Sequence, residues 1–140
     1  MKQSKHLLAA EVWRHLFDFI IRTRAHRDRA LERYGLTPND SRALFSLDAD
    51  GRPIGELADA WACDPSNATW IVDRLERAGF AERRADTADR RVKRVALTRK
   101  GVKVQQALQA ELYDPPHELV ELDRGDLEAL LVAARRLDAP

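Results

Sequence analysis

The segment from Asp64 to Phe80, DPSNATWIVDRLERAGF, constrains the fold more than any other part of the chain. Its Asp-Pro start and the glycine at position 79 delimit one helix. Apolar residues recur within it at the i, i+3, i+4, i+7 spacing that places them on one helical face, namely Ala68, Ile71, Val72 and Leu75. The opposite face is polar, yet it carries Trp70. This helix is predicted to pack by one side only.

A second short helix precedes this one, and a basic hairpin follows it. The same apolar spacing occurs at Ile54, Leu57, Ala58 and Trp61, and only Ala62 and Cys63 separate the two helices. Two short amphipathic helices joined by such a turn are typical of a helix-turn-helix. The sequences AERRA (81–85) and VKRVAL (92–97) read as strands around the polar turn DTADRR (86–91), which predicts a β-hairpin.

The remaining segments are predicted to be helical. One long helix is expected over residues 4–33, ending at Gly35. Thr37 and Pro38 start the next helix, and residues 48–53 read as a turn. Thr98 caps a further helix that Asp114-Pro115-Pro116 interrupts, and a last helix runs from Asp123 to about Leu137. The fold class is therefore mainly α with a small β-hairpin, in a single domain over residues 1–140.

The near-neutral composition conceals one basic segment. The chain has 140 residues and a net charge of +1, but residues 74–103 contain eleven Lys or Arg against four acids. That window carries +7 and the rest of the chain −6. No apolar run has the length of a membrane span, and the N-terminus lacks a signal peptide, so a cytoplasmic protein outside the membrane is expected.

Metal, cofactor and catalytic chemistry are not expected. The four histidines lack metal-ligand spacing, and no nucleophile is accompanied by a candidate base. The single cysteine, Cys63, is interpreted as a small core residue in preference to a redox sensor.

The polar helix and the hairpin together point to double-stranded DNA. An α-helix fits the major groove, where short polar side chains near its N-terminus and longer ones beyond can reach base edges. An arginine at a hairpin tip can enter the minor groove. The candidate DNA contacts are Ser66, Asn67, Thr69, Trp70 and Arg74 on the helix and Arg90, Arg91, Lys93 and Arg94 on the hairpin. Trp70 could instead support the hairpin or another part of the protein.

The segment CDPSNATWIVDRLERAGFAERRADTADRRVKRVALTRKG, from Cys63 to Gly101, resembles the winged helix-turn-helix of MarR-type (multiple-antibiotic-resistance) transcriptional regulators. The most specific elements are Asp89-Arg90-Arg91 and the ending Leu97-Thr98-Arg99-Lys100-Gly101. The resemblance implies a winged core over about 36–100 and a homodimer formed by helices over about 4–33 and 101–138. It also implies that Arg90 or Arg91 is the wing-tip arginine and that Asp89 orients the wing by pairing with a neighbouring arginine.

The resemblance further implies a crevice for a small, often aromatic effector between the dimer helices and the DNA-binding part. Trp13, His15 and Phe17 are candidates for lining it. Core packing is the alternative interpretation for Trp13 and Phe17, as it is for Phe45 and Trp61.

The predicted function is therefore a sequence-specific transcriptional regulator, a ligand-responsive repressor that binds a palindromic operator as a homodimer. The alternative is a winged-helix module that binds another protein without specific DNA binding. A steep loss of affinity with salt would favour DNA, because phosphate contacts release counterions.

Overall fold

Residues 3–138, which the computed structural model describes, form eight helices and three short strands. The order along the chain is α1 (Lys5–Arg22), α2 (Arg24–Glu32), α3 (Pro38–Ser46), β1 (Arg52–Pro53), α4 (Ile54–Ala60), α5 (Pro65–Arg77), β2 (Ala81–Ala85), β3 (Lys93–Leu97), α6 (Arg99–Leu112), α7 (His117–Val120) and α8 (Arg124–Asp138). None of the helices in this described range is long and apolar enough to cross a membrane. The mainly α fold class with a small β-wing is confirmed.

The prediction of one continuous helix over residues 4–33 is wrong, because the chain breaks at Thr23. The Thr23 hydroxyl donates to the Phe19 carbonyl at 2.8 Å and accepts from the Arg27 guanidinium at 3.2 Å. A threonine hydroxyl bound to the carbonyl four residues earlier competes with regular helix geometry. The break separates α1 from α2.

The hairpin is confirmed, but the turn assigned to residues 48–53 hides a third strand. β2 and β3 pair antiparallel, with Arg83 opposite Val95, and β1 adds to the other side of β3 with Arg52 opposite Val95. The sheet order is β1-β3-β2. A two-residue strand that contains a proline shows no alternation, and proline is tolerated only at a sheet edge, so the sequence pattern could not reveal it. The four-residue α7 was missed for the same lack of periodicity.

The core lies in and around the winged lobe, defined here as residues 36–100. All four apolar residues predicted for α5 are buried, as are Trp61 and the inner residues of β3. The Leu97–Gly101 ending has a structural explanation. The Thr98 side chain accepts from the Gly101 amide at 2.9 Å and donates to the Gly79 carbonyl at 2.6 Å. A Cβ on Gly101 would overlap the Phe80 carbonyl, so only glycine lets α6 approach this closely.

The two terminal helices contrast with the winged lobe. Neither α1 nor α8 buries any residue, although both are amphipathic. Core packing within the chain is therefore wrong for Trp13 and Phe17, which are 62% and 49% exposed, whereas Trp61 is 6% exposed. Phe45 is half-buried against the core. Trp13 and Phe17 are exposed because the apolar face of α1 meets little of its own chain.

Candidate nucleic-acid interface

The first two turns of α5 present an exposed polar surface. Asp64 is the N-cap, Pro65 occupies the first helical turn, and Ser66, Asn67, Thr69 and Trp70 are all exposed. The Thr69 hydroxyl donates to the Pro65 carbonyl at 3.0 Å. Within residues 3–138 the side chains of Ser66 and Asn67 make no hydrogen bond with another group, so their donors and acceptors are available to a ligand.

The turn between α4 and α5 is held tightly. Ala62 adopts a left-handed conformation with φ of 50°, and the Cys63 amide donates to the Ala58 carbonyl at 3.0 Å. Cys63 is half-buried against the core, in agreement with its interpretation as a packing residue. The turn therefore holds the start of α5 close against the end of α4.

An ion-pair bridge attaches the wing, which is the β2–β3 hairpin, to α5. Arg83 of β2 donates to Asp73 at 2.6 Å and to Glu76 at 2.7 Å, both on α5. Burial lowers the pKa of Arg83, but the hydrogen bonds and charges of the two carboxylates outweigh it, so the net pKa is raised. The guanidinium stays charged, and it joins β2 to α5 through two hydrogen bonds. Sequence reasoning missed this bridge because it treated Arg83 only as a contribution to the basic segment.

Two other wing arginines are directed inward, toward the loop before β1. Arg94 donates to the Gly51 carbonyl at 2.6 Å and lies 3.7 Å from Asp86. Arg84 donates to the Ala49 carbonyl at 3.1 Å and pairs with Glu82. The DNA contact predicted for Arg94 stays a prediction. In the structure this side chain joins β3 to the loop before β1.

The tip of the wing leaves its cations in solvent. Asp89 accepts from both the Arg91 amide at 3.0 Å and the Arg91 Nε at 3.2 Å, and the Arg91 side chain is 91% exposed. In the described part of the chain, Arg90 and Lys93 are exposed and make no ion pair. The structure thus contains a pair of the kind predicted for Asp89, while its role in orienting the wing stays a prediction.

Arg74 is engaged inside the protein, which the sequence did not indicate. Its Nε and Nη2 donate to the Asp40 carboxylate at 3.1 Å and 2.7 Å. Asp40 is 1% exposed, and its Oδ2 also accepts from the Thr37 amide at 2.9 Å, completing a capping box at the start of α3. The only local signal was the spacing Thr37-x-x-Asp40. Because position 74 lies far from position 40 in the sequence, no periodicity could pair them.

Two open cavities lie between α2 and the end of α6. One, of about 570 Å³, is lined by residues of the α1–α2 junction and by the segment from Leu112 to Val120. The other, of about 550 Å³, is lined by Arg27, Phe45, Gln105, Gln109, Leu112 and Tyr113. Trp13, His15 and Phe17 line neither cavity. Phe45 and Tyr113 are the aromatic residues in the lining of the second cavity.

Sequence relatives agree with this geometry. The sequence model of the MarR family matches residues 36–93. The HTH-type transcriptional regulator MhqR of Bacillus subtilis (strain 168) is 30% identical over 91 residues, covering 60% of this chain and 63% of that protein. The HTH-type transcriptional repressor MdtR of the same strain is 35% identical over 81 residues, covering 56% and 52%. The chain thus matches between half and two thirds of the length of these curated relatives.

Solved structures share the fold over nearly the whole chain. YusO of Bacillus subtilis has a TM-score of 0.77 at 25% identity and covers 99% of this chain and 100% of its own. MepR of S. aureus in complex with DNA has a TM-score of 0.65 at 23% identity, over 86% and 98% of the two chains. MepR bound to ethidium bromide gives 0.67 at 23% identity, over 89% and 93%. The chain therefore has a winged helix-turn-helix fold, and its residues 36–93 match the sequence model of the MarR family.

Proposed function

We propose that this protein is a transcriptional regulator that binds specific DNA sites as a homodimer and acts as a repressor in the cytoplasm. The observation that carries the proposal is the surface formed by the N-terminal half of α5 and the wing. Ser66 and Asn67 offer free hydrogen-bonding groups there, beside the exposed cations Arg90 and Lys93. The naming of MhqR as a regulator and of MdtR as a repressor supports this role.

In the proposed complex α5 enters the major groove and the wing follows the adjacent minor groove. The N-terminus of α5 has free amide groups and a positive dipole end that favour a phosphate. Ser66, Asn67 and Thr69 face base edges, while Lys93 contacts phosphates and one of Arg90 and Arg91 enters the minor groove. The Arg83 bridge to Asp73 and Glu76 supports this arrangement, because it keeps the helix and the wing at one separation.

The homodimer is proposed to form through the terminal helices outside the winged lobe. The exposed apolar residues of α1 and α8 include Leu8, Val12, Trp13, Phe17, Leu130 and Leu131. Apolar faces of this extent are usually covered by a partner. A two-fold axis between two chains would pair both winged lobes with a palindromic site whose half-sites are about one helical turn apart.

A small aromatic effector is proposed to bind near the junction of α1, α2 and α6. The cavity that contains Phe45 and Tyr113 offers aromatic walls with Arg27 and two glutamines as polar groups. MepR, which shares this fold, has been crystallised with ethidium bromide. Trp13, His15 and Phe17 would contribute only where the partner chain closes over α1.

The first test separates base contacts from phosphate contacts. Asn67→Ala should weaken a selected site by about 1–3 kcal/mol and leave affinity for random DNA nearly unchanged. Lys93→Ala should weaken all sequences alike and lower the slope of log affinity against log salt by about one. Sites are first selected from random duplexes, and both variants are then titrated on one selected site and one random duplex. Identical behaviour of the two variants on random DNA would refute the assignment of α5 as the recognition helix.

The same titrations distinguish the proposed function from the alternative, a winged-helix module that docks on another protein. Counterion release makes DNA affinity fall steeply between low and moderate salt. A module without DNA specificity would enrich no sequence from the random pool. The named relatives are transcriptional regulators, and no catalytic activity is proposed.

A further inference from the structure

Trp70 occupies the middle of the exposed face of α5. It follows Ser66 by four residues and precedes Arg77 by seven, so the three side chains lie along one line on the helix. The Trp70 side chain is 51% exposed, although an aromatic residue that serves only the core would turn inward. The position is in the second turn of the helix, within the part of a recognition helix that faces base edges.

The cation beneath Trp70 cannot move freely. Arg74 donates to both oxygens of Asp40, and the same carboxylate closes the first turn of α3 through Thr37. If Arg74 turned toward DNA, it would leave a carboxylate that is 1% exposed without its counter-charge, and an unpaired buried charge is strongly unfavourable. The guanidinium is therefore held in one plane by two helices.

The indole ring rests on this guanidinium. The central carbon of the Arg74 guanidinium lies 4.8 Å from the centroid of the Trp70 ring, which is the geometry of a cation–π contact. An unsupported tryptophan on a helix surface would exchange between staggered rotamers. Here a cation that Asp40 holds lies against the ring, so the contact favours this orientation of the indole over the others.

We propose that Trp70 reads the 5-methyl group of a thymine, and that Arg74 and Asp40 are positioning residues that hold the indole ring for this contact without touching DNA. The inference rests on the proposed function. The thymine methyl is the one apolar group on the base edges of the major groove, and an apolar ring surface recognises it by contact. The Nε–Nη2 edge of Arg74, by contrast, is engaged by Asp40 and is not available to a guanine.

The experiment replaces each thymine of a selected site, one at a time, by uracil, which lacks only the methyl group. For the wild-type chain we expect one thymine in each half-site at which uracil weakens binding about three- to tenfold, the range expected for one buried methyl group. With Trp70→Ala the same replacement should have no effect. Arg74→Lys should remove more than half of the uracil penalty, because lysine keeps the charge but not the planar support.

Arg77→Lys is the matched control, because it makes the same chemical change on an exposed arginine three residues further along α5. It should leave the uracil penalty intact. Fluorine NMR of protein labelled with 5-fluorotryptophan tests the support without DNA. Arg74→Lys should shift the Trp70 resonance and leave that of buried Trp61 in place, whereas Arg77→Lys should move neither. Unfolding temperatures of all variants show that each is folded.

The outcomes separate this inference from the proposed function. A chain that selects no DNA site overturns both. Selected sites at which uracil is as harmful to Trp70→Ala as to the wild type overturn the inference alone. The positioning role is also overturned if Arg74→Lys leaves the uracil penalty intact but changes the selected bases or the salt slope, since Arg74 would then contact DNA itself.

Discussion

The winged lobe and the terminal helices are built from the same kind of amphipathic helix, yet they complete their packing in different ways. α5 buries all four residues of its apolar stripe inside the chain, while α1 has a comparable stripe and buries none of it. α8 repeats the behaviour of α1. Periodicity in a sequence therefore indicates that a face will be covered, but it does not indicate whether the cover comes from the same chain.

This difference predicts two kinds of response to mutation. Changes inside the winged lobe should alter the free energy of unfolding at any protein concentration, because the contacts are intramolecular. Changes on α1 or α8 should alter a property that depends on concentration, because the proposed partner surface belongs to a second chain. The following variants test that division.

The largest effect is expected for Gly101→Ala. A Cβ at this position would overlap the Phe80 carbonyl oxygen and lie 2.8 Å from the carbonyl carbon, so α6 would have to separate from the end of α5. We expect a loss of about 4 kcal/mol or more in the free energy of unfolding. Urea denaturation measures it.

The control for this variant is Gly55→Ala in α4, where no atom lies within 4 Å of the added Cβ. Alanine there should be neutral or stabilise the protein by up to about 1 kcal/mol. Equal destabilisation by both changes would contradict the close approach of α6 to Phe80.

Phe17→Glu should have the next largest effect, on association alone. A carboxylate placed in an apolar interface between two chains is expected to cost about 3 kcal/mol, which raises the dimer dissociation constant about 100-fold. Sedimentation across a concentration series measures it, with helix content followed by circular dichroism. Arg14→Glu puts the same group on the polar face of α1 that carries Glu11 and Asp18, and it should leave association unchanged. A wild-type chain that stays monomeric at micromolar concentration, with or without DNA, would remove the basis of the comparison.

The smallest effects are expected within the wing, where two arginines differ in what they contact. Arg94→Ala removes the bond to the Gly51 carbonyl and should destabilise the free protein by about 1 kcal/mol. Arg91→Ala removes a side chain that is 91% exposed and should change stability by less than about 0.5 kcal/mol. Thermal unfolding distinguishes them.

DNA titration with Asp89→Ala tests the orienting role proposed for the wing tip. Binding should weaken even though a negative charge is removed, because Arg91 loses the partner that sets its direction. Stronger binding by this variant would show that the wing tip acts only as a basic surface.

The features that could be predicted from the sequence are local ones. The caps at Thr37 and Thr98, the start of α5 and the β2–β3 hairpin each depend on residues within a few positions of one another. The missed features depend on distant partners or on a single side chain. The Arg74–Asp40 pair joins two helices, β1 needs β3 beside it, and the α1–α2 break depends on where one threonine hydroxyl turns. The homodimer and the effector crevice are expected from the family resemblance, because periodicity within one chain does not identify what covers a face or which ligand binds.

If Trp70 reads DNA as proposed, Asp40 limits how the DNA preference could be redesigned, because it both caps α3 and holds Arg74. Grafting residues 65–77 onto another winged-helix scaffold would transfer Arg74 and leave behind the carboxylate that holds it. The transplanted Trp70 would then rest on a mobile side chain, and the graft would present a different surface from the donor's. A successful exchange would have to carry position 40, with its capping threonine, as part of the same unit. The proposed specificity would thus depend on α3 and α5 together, and α5 could not be exchanged alone.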